Sequence, residues 1–191
     1  MSLRYVLLAL LSEKPNSGYG LGRLLSTDLS HIWDACLQQV YGEMAKLDTA
    51  GLVEAESIEI PNRPAKKIYS LTPLGQVALD VWLAEFSPQP SNKDDLLMKL
   101  YCLERSPKDA TIRRLEERRN GYQEEEAELR HQLAKTTQTE SVQLGLVFTL
   151  EAAKARAEGQ VAWCDSALAW LRKRELPGEI EEPFQQVVAG T

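Results

Sequence analysis

Apolar side chains recur at helical spacing from the first residues. Leu3, Val6, Leu7, Leu10 and Leu11 predict an amphipathic helix over residues 2–12, ended by Pro15 and Asn16. A shorter helix follows from Gly18 to Thr27. At about 100° per residue, Leu37, Val40, Met44 and Leu47 share one side of a third helix, residues 35–50. Its opposite side carries Gln38, Gly42, Ala45, Lys46 and Thr49, with Gln39 beside them and Tyr41 on the other flank. Gly51 ends this helix, and LVEAESIEI then alternates apolar and polar residues as a strand does. KKIYSL, residues 66–71, reads as the returning strand of a hairpin whose tip is PNRPA. Thr72 and Pro73 open a fourth helix to about Phe86, with Leu74, Val77, Ala78 and Val81 expected inward.

The polar, proline-bearing SPQPSN, residues 87–92, marks a boundary, and the pattern beyond it is helical. Ser106, Pro107 and Asp109 resemble a capping-box start. From there Ile112, Leu115, Arg119, Tyr122, Glu126, Leu129 and Leu133 alternate spacings of three and four. Val147, Leu150, Lys154, Ala157, Val161, Cys164, Leu168 and Leu171 repeat that seam, so the two helices are expected to pair antiparallel through a turn near residues 136–141. Trp163 and Trp170 form a second stripe one position off the seam, which suggests a subunit interface, with packing on the segment 94–103 as the alternative.

The expected fold is mainly α with one small β-hairpin. Residues 1–86 form a winged helix-turn-helix domain and 93–175 an antiparallel, coiled-coil-like dimerisation domain. A loosely ordered tail, 176–191, follows. Trp163, Trp170, Leu150, Leu168 and Leu171 are the candidate dimerisation residues.

Composition narrows the chemistry. With 191 residues and a net charge of −6, the chain gives no charge-based case for nucleic acid, and residues 1–86 hold 7 basic against 10 acidic side chains. Basic residues are instead local: Ile60 to Ser70 holds Arg63, Lys66 and Lys67 and no acid. Cys36, Cys102 and Cys164 are too far apart for a disulfide framework or a close-spaced metal cluster, and suit a reducing cytoplasm. The apolar run of MSLRYVLLALLSEK is about nine residues, with no small-residue cleavage site before Glu13 and Lys14, and reads as a core helix, and no stretch approaches the roughly 20 apolar residues of a membrane helix. No membrane partner and no cofactor are expected. His31 and His131 stand in separate predicted domains, and Glu124, Glu125 and Glu126 read as a solvated face, so no enzyme or metal site is expected. GYGLG lacks the preceding strand that a phosphate loop needs.

The third helix has the chemistry of a DNA reader. Glutamine offers a donor and an acceptor together, matching an adenine edge in the major groove, and Gly42 and Ala45 permit close approach. Tyr41 can give its hydroxyl to a phosphate. Arg63, Lys66 and Lys67 would then lie along the backbone or in the minor groove, positioning the domain without reading sequence. The expected DNA contacts therefore include Gln38, Gln39, Tyr41, Gly42, Lys46, Arg63, Lys66 and Lys67.

These same segments carry a resemblance. LLALLSEKPNSGYGLGRLL, HIWDACLQQVYGEMAKLDTAGLV and KKIYSLTPLGQVAL resemble the PadR family of winged-helix transcriptional regulators, with IW followed by QQVY closest to its AphA-like virulence-activator branch. The resemblance implies a homodimeric regulator of operator DNA. It places Gly18 and Tyr19 at the start of the second helix, Gln38, Gln39 and Tyr41 on the recognition helix, and Arg63 and Lys67 in the wing. It adds Tyr19 to the DNA contacts. Members respond to phenolic or other aromatic compounds, which makes an aromatic small-molecule effector a further expected partner, near Trp33 or the C-terminal tryptophans. The alternative from another class is a helical protein-interaction module whose winged domain has lost DNA affinity.

Overall fold

The computed structural model describes residues 3–60, 63–86, 93–138 and 143–174, and the side chains of all these except 60 and 63–65. The elements in order are α1 (Leu3–Glu13), α2 (Gly18–Ser26), α3 (Leu37–Thr49), β1 (Val53–Ile60), β2 (Arg63–Leu71), α4 (Pro73–Ala84), α5 (Asp95–Tyr101), a short 3-10 turn (Leu103–Arg105), α6 (Lys108–Thr137) and α7 (Leu144–Arg172). The chain divides into two compact units, Met1–Gln89 and Pro90–Thr191.

In the first unit, Leu7, Leu8 and Leu11 of α1 pack with Leu21 and Leu25 of α2 and with Val40, Met44 and Leu47 of α3. Leu37 departs from the expected stripe. It is 42% exposed, with its Cδ2 tucked against Gly22 of α2. Gly51 takes φ +67°, a left-handed conformation that favours glycine, and turns the chain from α3 into β1. Leu52 N–H then donates to the Leu47 carbonyl at 3.0 Å. β1 and β2 pair antiparallel from Val53↔Leu71 to Ile60↔Arg63, with an irregularity between Ile58 and Ile60. The returning strand thus begins at Arg63, inside the segment expected to be the tip. Asn16 adds a contact that local patterning does not signal. It exchanges two backbone hydrogen bonds with Tyr69, at 3.1 and 2.8 Å, and so joins the α1–α2 connection to the sheet.

Thr72 caps α4 as expected, accepting from Gly75 N–H at 3.0 Å and donating to the Gly51 carbonyl at 2.8 Å. Of the four residues of α4 expected inward, Ala78 alone packs on the core. Leu74, Val77 and Val81 are each 58% exposed, whereas Gly75 and Leu79 are buried. Two contacts impose this rotation. Gly75 lies so close to the Leu52 carbonyl that a Cβ would strike it, and Trp82 stacks on Tyr5 of α1 with ring centroids 5.1 Å apart. Both faces of α4 are apolar, and the small residue decides which one packs.

The second unit is built on an antiparallel α6–α7 hairpin. Cross-helix ion pairs fix its direction: Glu116 with Arg172 at 2.6 Å, Arg119 with Asp165 at 3.3 Å and Glu125 with Arg156 at 2.8 Å. Leu115, Cys164, Leu168 and Leu171 pack with Leu96 of α5, and a second cluster holds Leu129, Leu150 and Ala153. The expected capping box at Ser106 does not form. The helix begins one residue later with Pro107, which has no side-chain acceptor, in the cap position. Ser106 instead accepts from the buried Thr111 hydroxyl at 3.2 Å.

Asp94 ties α5 to α6. Its carboxylate caps α5 through Leu96 and Leu97 N–H and receives both terminal nitrogens of Arg118, at 2.5 and 2.8 Å. The bidentate Arg118 guanidinium holds the Asp94 carboxyl at about 2, below its ordinary 3.8, against the opposing effect of burial.

Two predictions follow from these junctions. Gly75→Ala should destabilise the winged unit by about 1–3 kcal/mol through overpacking, seen as a lower Tm in calorimetry. The Asp94–Arg118 pair should contribute fully above pH 4 or so and fade as pH falls through about 2, because the folded state binds its proton less readily than the unfolded chain. Asp94→Asn should therefore cost about 1–2 kcal/mol at pH 7, discounted for partial exposure, and urea titrations from pH 6 to 2 should show that difference shrinking.

Candidate nucleic-acid interface

The outer side of α3 is assembled from its own N-terminus. Cys36 occupies the cap position with extended backbone, φ −74° and ψ 155°. Its N–H donates to the side-chain carbonyl of Gln39 at 3.0 Å, so this glutamine reaches back along the first turn. Gln38, one residue earlier, is exposed, as are Gly42, Ala45 and Thr49 on the same side. A Cβ at Gly42 would meet nothing within 4 Å, so the backbone is open to a close partner there.

Tyr41 lies over the start of α2. A Cβ at Gly18 would come within 2.7 Å of its Cε1, so a bare glycine seats the ring. The start of α2 is itself held by Ser17, whose hydroxyl accepts from Gly20 N–H at 3.1 Å. Tyr41 is half exposed, and so is Tyr19, the residue after the seat. Tyr19, Gln38 and Tyr41 are therefore all exposed, on α2 and α3, in one helix-turn-helix.

Lys46 and Gln39 lie on the other flank. Lys46 Nζ pairs with Glu43 at 3.0 Å, and Arg4 approaches the same carboxylate at 3.8 Å. Leu3, Trp33, Asp34, Gln39, Gly42, Glu43 and Lys46 line a cavity of about 390 Å³. Trp33, the expected effector residue, is half buried there, beside two carboxylates.

In the hairpin, Lys67 stands opposite Ser57 and Lys66 opposite Ile58, and both lysines are exposed. Strand alternation puts them on opposite faces. Lys67 shares the face of Tyr69, and Lys66 shares that of Glu54 and Glu56. The Arg63 backbone belongs to β2, and its side chain lies outside the described part.

The second unit sorts the expected dimerisation residues into two groups. Leu150, Leu168 and Leu171 are buried within the second unit, Leu168 and Leu171 beside Leu96 of α5 and Leu150 beside Leu129 of α6. Trp163 is half buried, whereas Trp170 is 57% exposed, with the Arg174 guanidinium 3.6 Å above its ring. Both tryptophans line an apolar cavity of about 310 Å³ with Leu100, Leu103, Ser166, Ala167 and Leu171. Leu97, Met98 and Tyr101 on α5 are also exposed. Among the described residues no cluster of three or more His, Cys, Asp or Glu could hold a metal, and no helix is long and apolar enough to cross a membrane.

The role of Gln39 was open to sequence reading through the spacing Cys36-x-x-Gln39, which is that of a cap and its third helical residue. Two adjacent glutamines conceal it, because side-chain chemistry alone makes them equivalent.

Residues 7–81 match the model of the PadR-like family of transcriptional regulators, and residues 92–172 match the virulence activator alpha C-terminal region. The negative transcriptional regulator PadR of Bacillus subtilis is 29% identical over 183 residues, which span 90% of this chain and 98% of that protein. The crystal structure of Bacillus subtilis PadR in complex with operator DNA superposes with a TM-score of 0.80 at 26% identity, covering 88% of this chain and 98% of the other. The Vibrio cholerae virulence activator AphA superposes with a TM-score of 0.76 at 25% identity, covering 90% and 99%. The helix-turn-helix, its hairpin wing and the helical C-terminal unit thus recur together, and the chain belongs to the PadR family of DNA-binding transcriptional regulators.

Proposed function

We propose that two copies of the chain bind one operator, each offering the outer side of α3 to the major groove and its β1–β2 wing to the backbone. The observation that carries this reading is the exposed, carboxylate-free set of Tyr19, Gln38, Tyr41, Gly42 and Ala45. Glu43, on the neighbouring flank of α3, is drawn into ion pairs with Lys46 and Arg4. A relative of the same fold crystallised with operator DNA supports DNA as the partner. In this reading residues 1–86 bind DNA, 93–175 dimerise and 176–191 form a tail. The protein acts in the cytoplasm and performs no catalysis.

Gln38 reads a base edge, Tyr19 and Tyr41 donate hydroxyls to phosphates, and Lys66, Lys67 and Arg63 position the wing. Exposed Trp170, with Leu97, Met98 and Tyr101, supplies apolar surface for the second copy. Bacillus subtilis PadR has also been crystallised with p-coumaric acid, and an aromatic effector is the regulatory input that fits a chain with two tryptophan-lined cavities.

Lys67→Ala should weaken binding to specific and random duplexes alike. It should flatten the slope of log affinity against log salt by about 0.9 per lost phosphate contact in each wing. Binding curves at several salt concentrations measure this, and an unchanged slope would remove the wing from the interface. Trp170→Glu should shift the chain from dimer to monomer in sedimentation at micromolar concentration while its helical content is kept.

A further inference from the structure

We infer that the two neighbouring glutamines of α3 have different jobs: Gln38 reads DNA, whereas Gln39 is a positioning residue that holds the first turn of the reading helix. This assignment rests on the proposed role of α3 and divides it between two residues of identical chemistry.

Three observations separate them. Gln39 already spends its side-chain carbonyl on Cys36 N–H at 3.0 Å, one of the donors that a helix start leaves without an intrahelical partner. The cap residue itself is a cysteine, whose sulfur is a weak acceptor, so the reciprocal half of the capping box is poor. Gln39 therefore carries most of the cap. At about 100° per residue, Gln39 is also turned a quarter-circle from Gln38, toward a cavity that it lines with Trp33, Asp34, Gly42, Glu43 and Lys46. The side-chain carbonyl of Gln39 is thus engaged within its own helix, on the flank where Glu43 is paired with Lys46. Gln38 is exposed on the side of Gly42 and Ala45, where side chains are small and uncharged.

Fixing the first turn matters because Gln38 is its second residue. A frayed turn would leave the reading amide without a defined direction, and its two hydrogen bonds would have to be made against added conformational entropy. The cap thus acts on recognition through Gln38 without touching DNA.

The discriminating property is rescue. Serine is a far better cap acceptor than cysteine, and the extended backbone at position 36 already suits it. A helix start weakened at Gln39 can therefore be repaired at residue 36, whereas a lost base contact cannot. The probe is a duplex enriched from a random-sequence pool by the unmodified full-length protein, with the random pool itself as reference. Gln39→Ala should lower affinity for the enriched duplex about three- to tenfold, and adding Cys36→Ser should return it to within about twofold. Gln38→Ala should lose a comparable factor or more, with no return on adding Cys36→Ser. Circular dichroism of each variant confirms that the chain is folded, and Gln39→Glu, which keeps an acceptor for Cys36 N–H, should retain the base preference of the unmodified protein in a second enrichment.

The assignment is overturned if Gln39→Ala binds as tightly as the unmodified protein. It is equally overturned if Cys36→Ser fails to restore the double variant, or if that double variant enriches a different base at one position. A Gln38→Ala chain with an unchanged ratio of enriched to random affinity would sink the α3 reading itself, a result separable from failure of the cap.

Discussion

The two backbone hydrogen bonds between Asn16 and Tyr69 are the constraint on which the winged unit depends. They fasten the end of the α1–α2 connection to the last residues of β2, near the base of the hairpin, and each later placement follows from that one. The Asn16 side chain accepts from Ser17 N–H at 2.9 Å, Ser17 caps α2, and Gly18 begins α2 beneath the ring of Tyr41. Tyr41 sits one turn into α3, so the turn of the helix-turn-helix is referred to the sheet through consecutive short contacts. At the other end, Gly51, Leu52, Thr72 and Gly75 join the close of α3, the foot of the hairpin and the start of α4. The hairpin is thus a two-stranded ribbon stabilised by helices at its base, which such a ribbon needs in order to persist in water.

The overall negative charge and the DNA-binding role are reconciled by distribution. Three acidic residues of the first unit show this: Glu43 pairs with Lys46 and Arg4, and Glu54 and Glu56 lie on the face of the hairpin opposite Lys67. In the second unit Glu116, Glu125 and Asp165 bridge the two long helices. Net charge alone would have argued against nucleic acid, whereas a locally uncharged reading face does not.

Much of the fold was legible in the sequence because it rests on short-range signals. Helical periodicity, the Thr72-Pro73 start and the Gly51 stop are written in adjacent residues, and the elements stand close to where those residues put them. Features set by distant partners were not legible. The Asn16–Tyr69 pairing spans most of the winged unit, and the Asp94–Arg118 pair looks like an ordinary charge pattern until α5 is laid against α6. The face of α4 was misread because a hydrophobic pattern counts Leu74, Val77 and Val81 as core, while Gly75, almost invisible to that count, fixes the rotation. At the candidate site the residue types were legible, but not their hydrogen-bond partners, and partners are what distinguish Gln38 from Gln39 and occupy Lys46 with Glu43.

The rotation of α4 has a consequence for how the protein can be divided. Leu74, Val77 and Val81 lie three and four residues apart and form one continuous greasy ridge on the first unit. A fragment cut after Phe86 would present that ridge to solvent together with Phe86 itself, which is 91% exposed. Such a fragment would carry its stickiest surface on the helix that touches neither reading residue nor wing lysine. Its colloidal behaviour would then be governed by a surface unrelated to recognition. Polar residues at 77 and 81 would be the natural way to keep an isolated winged unit in solution without disturbing its reading face.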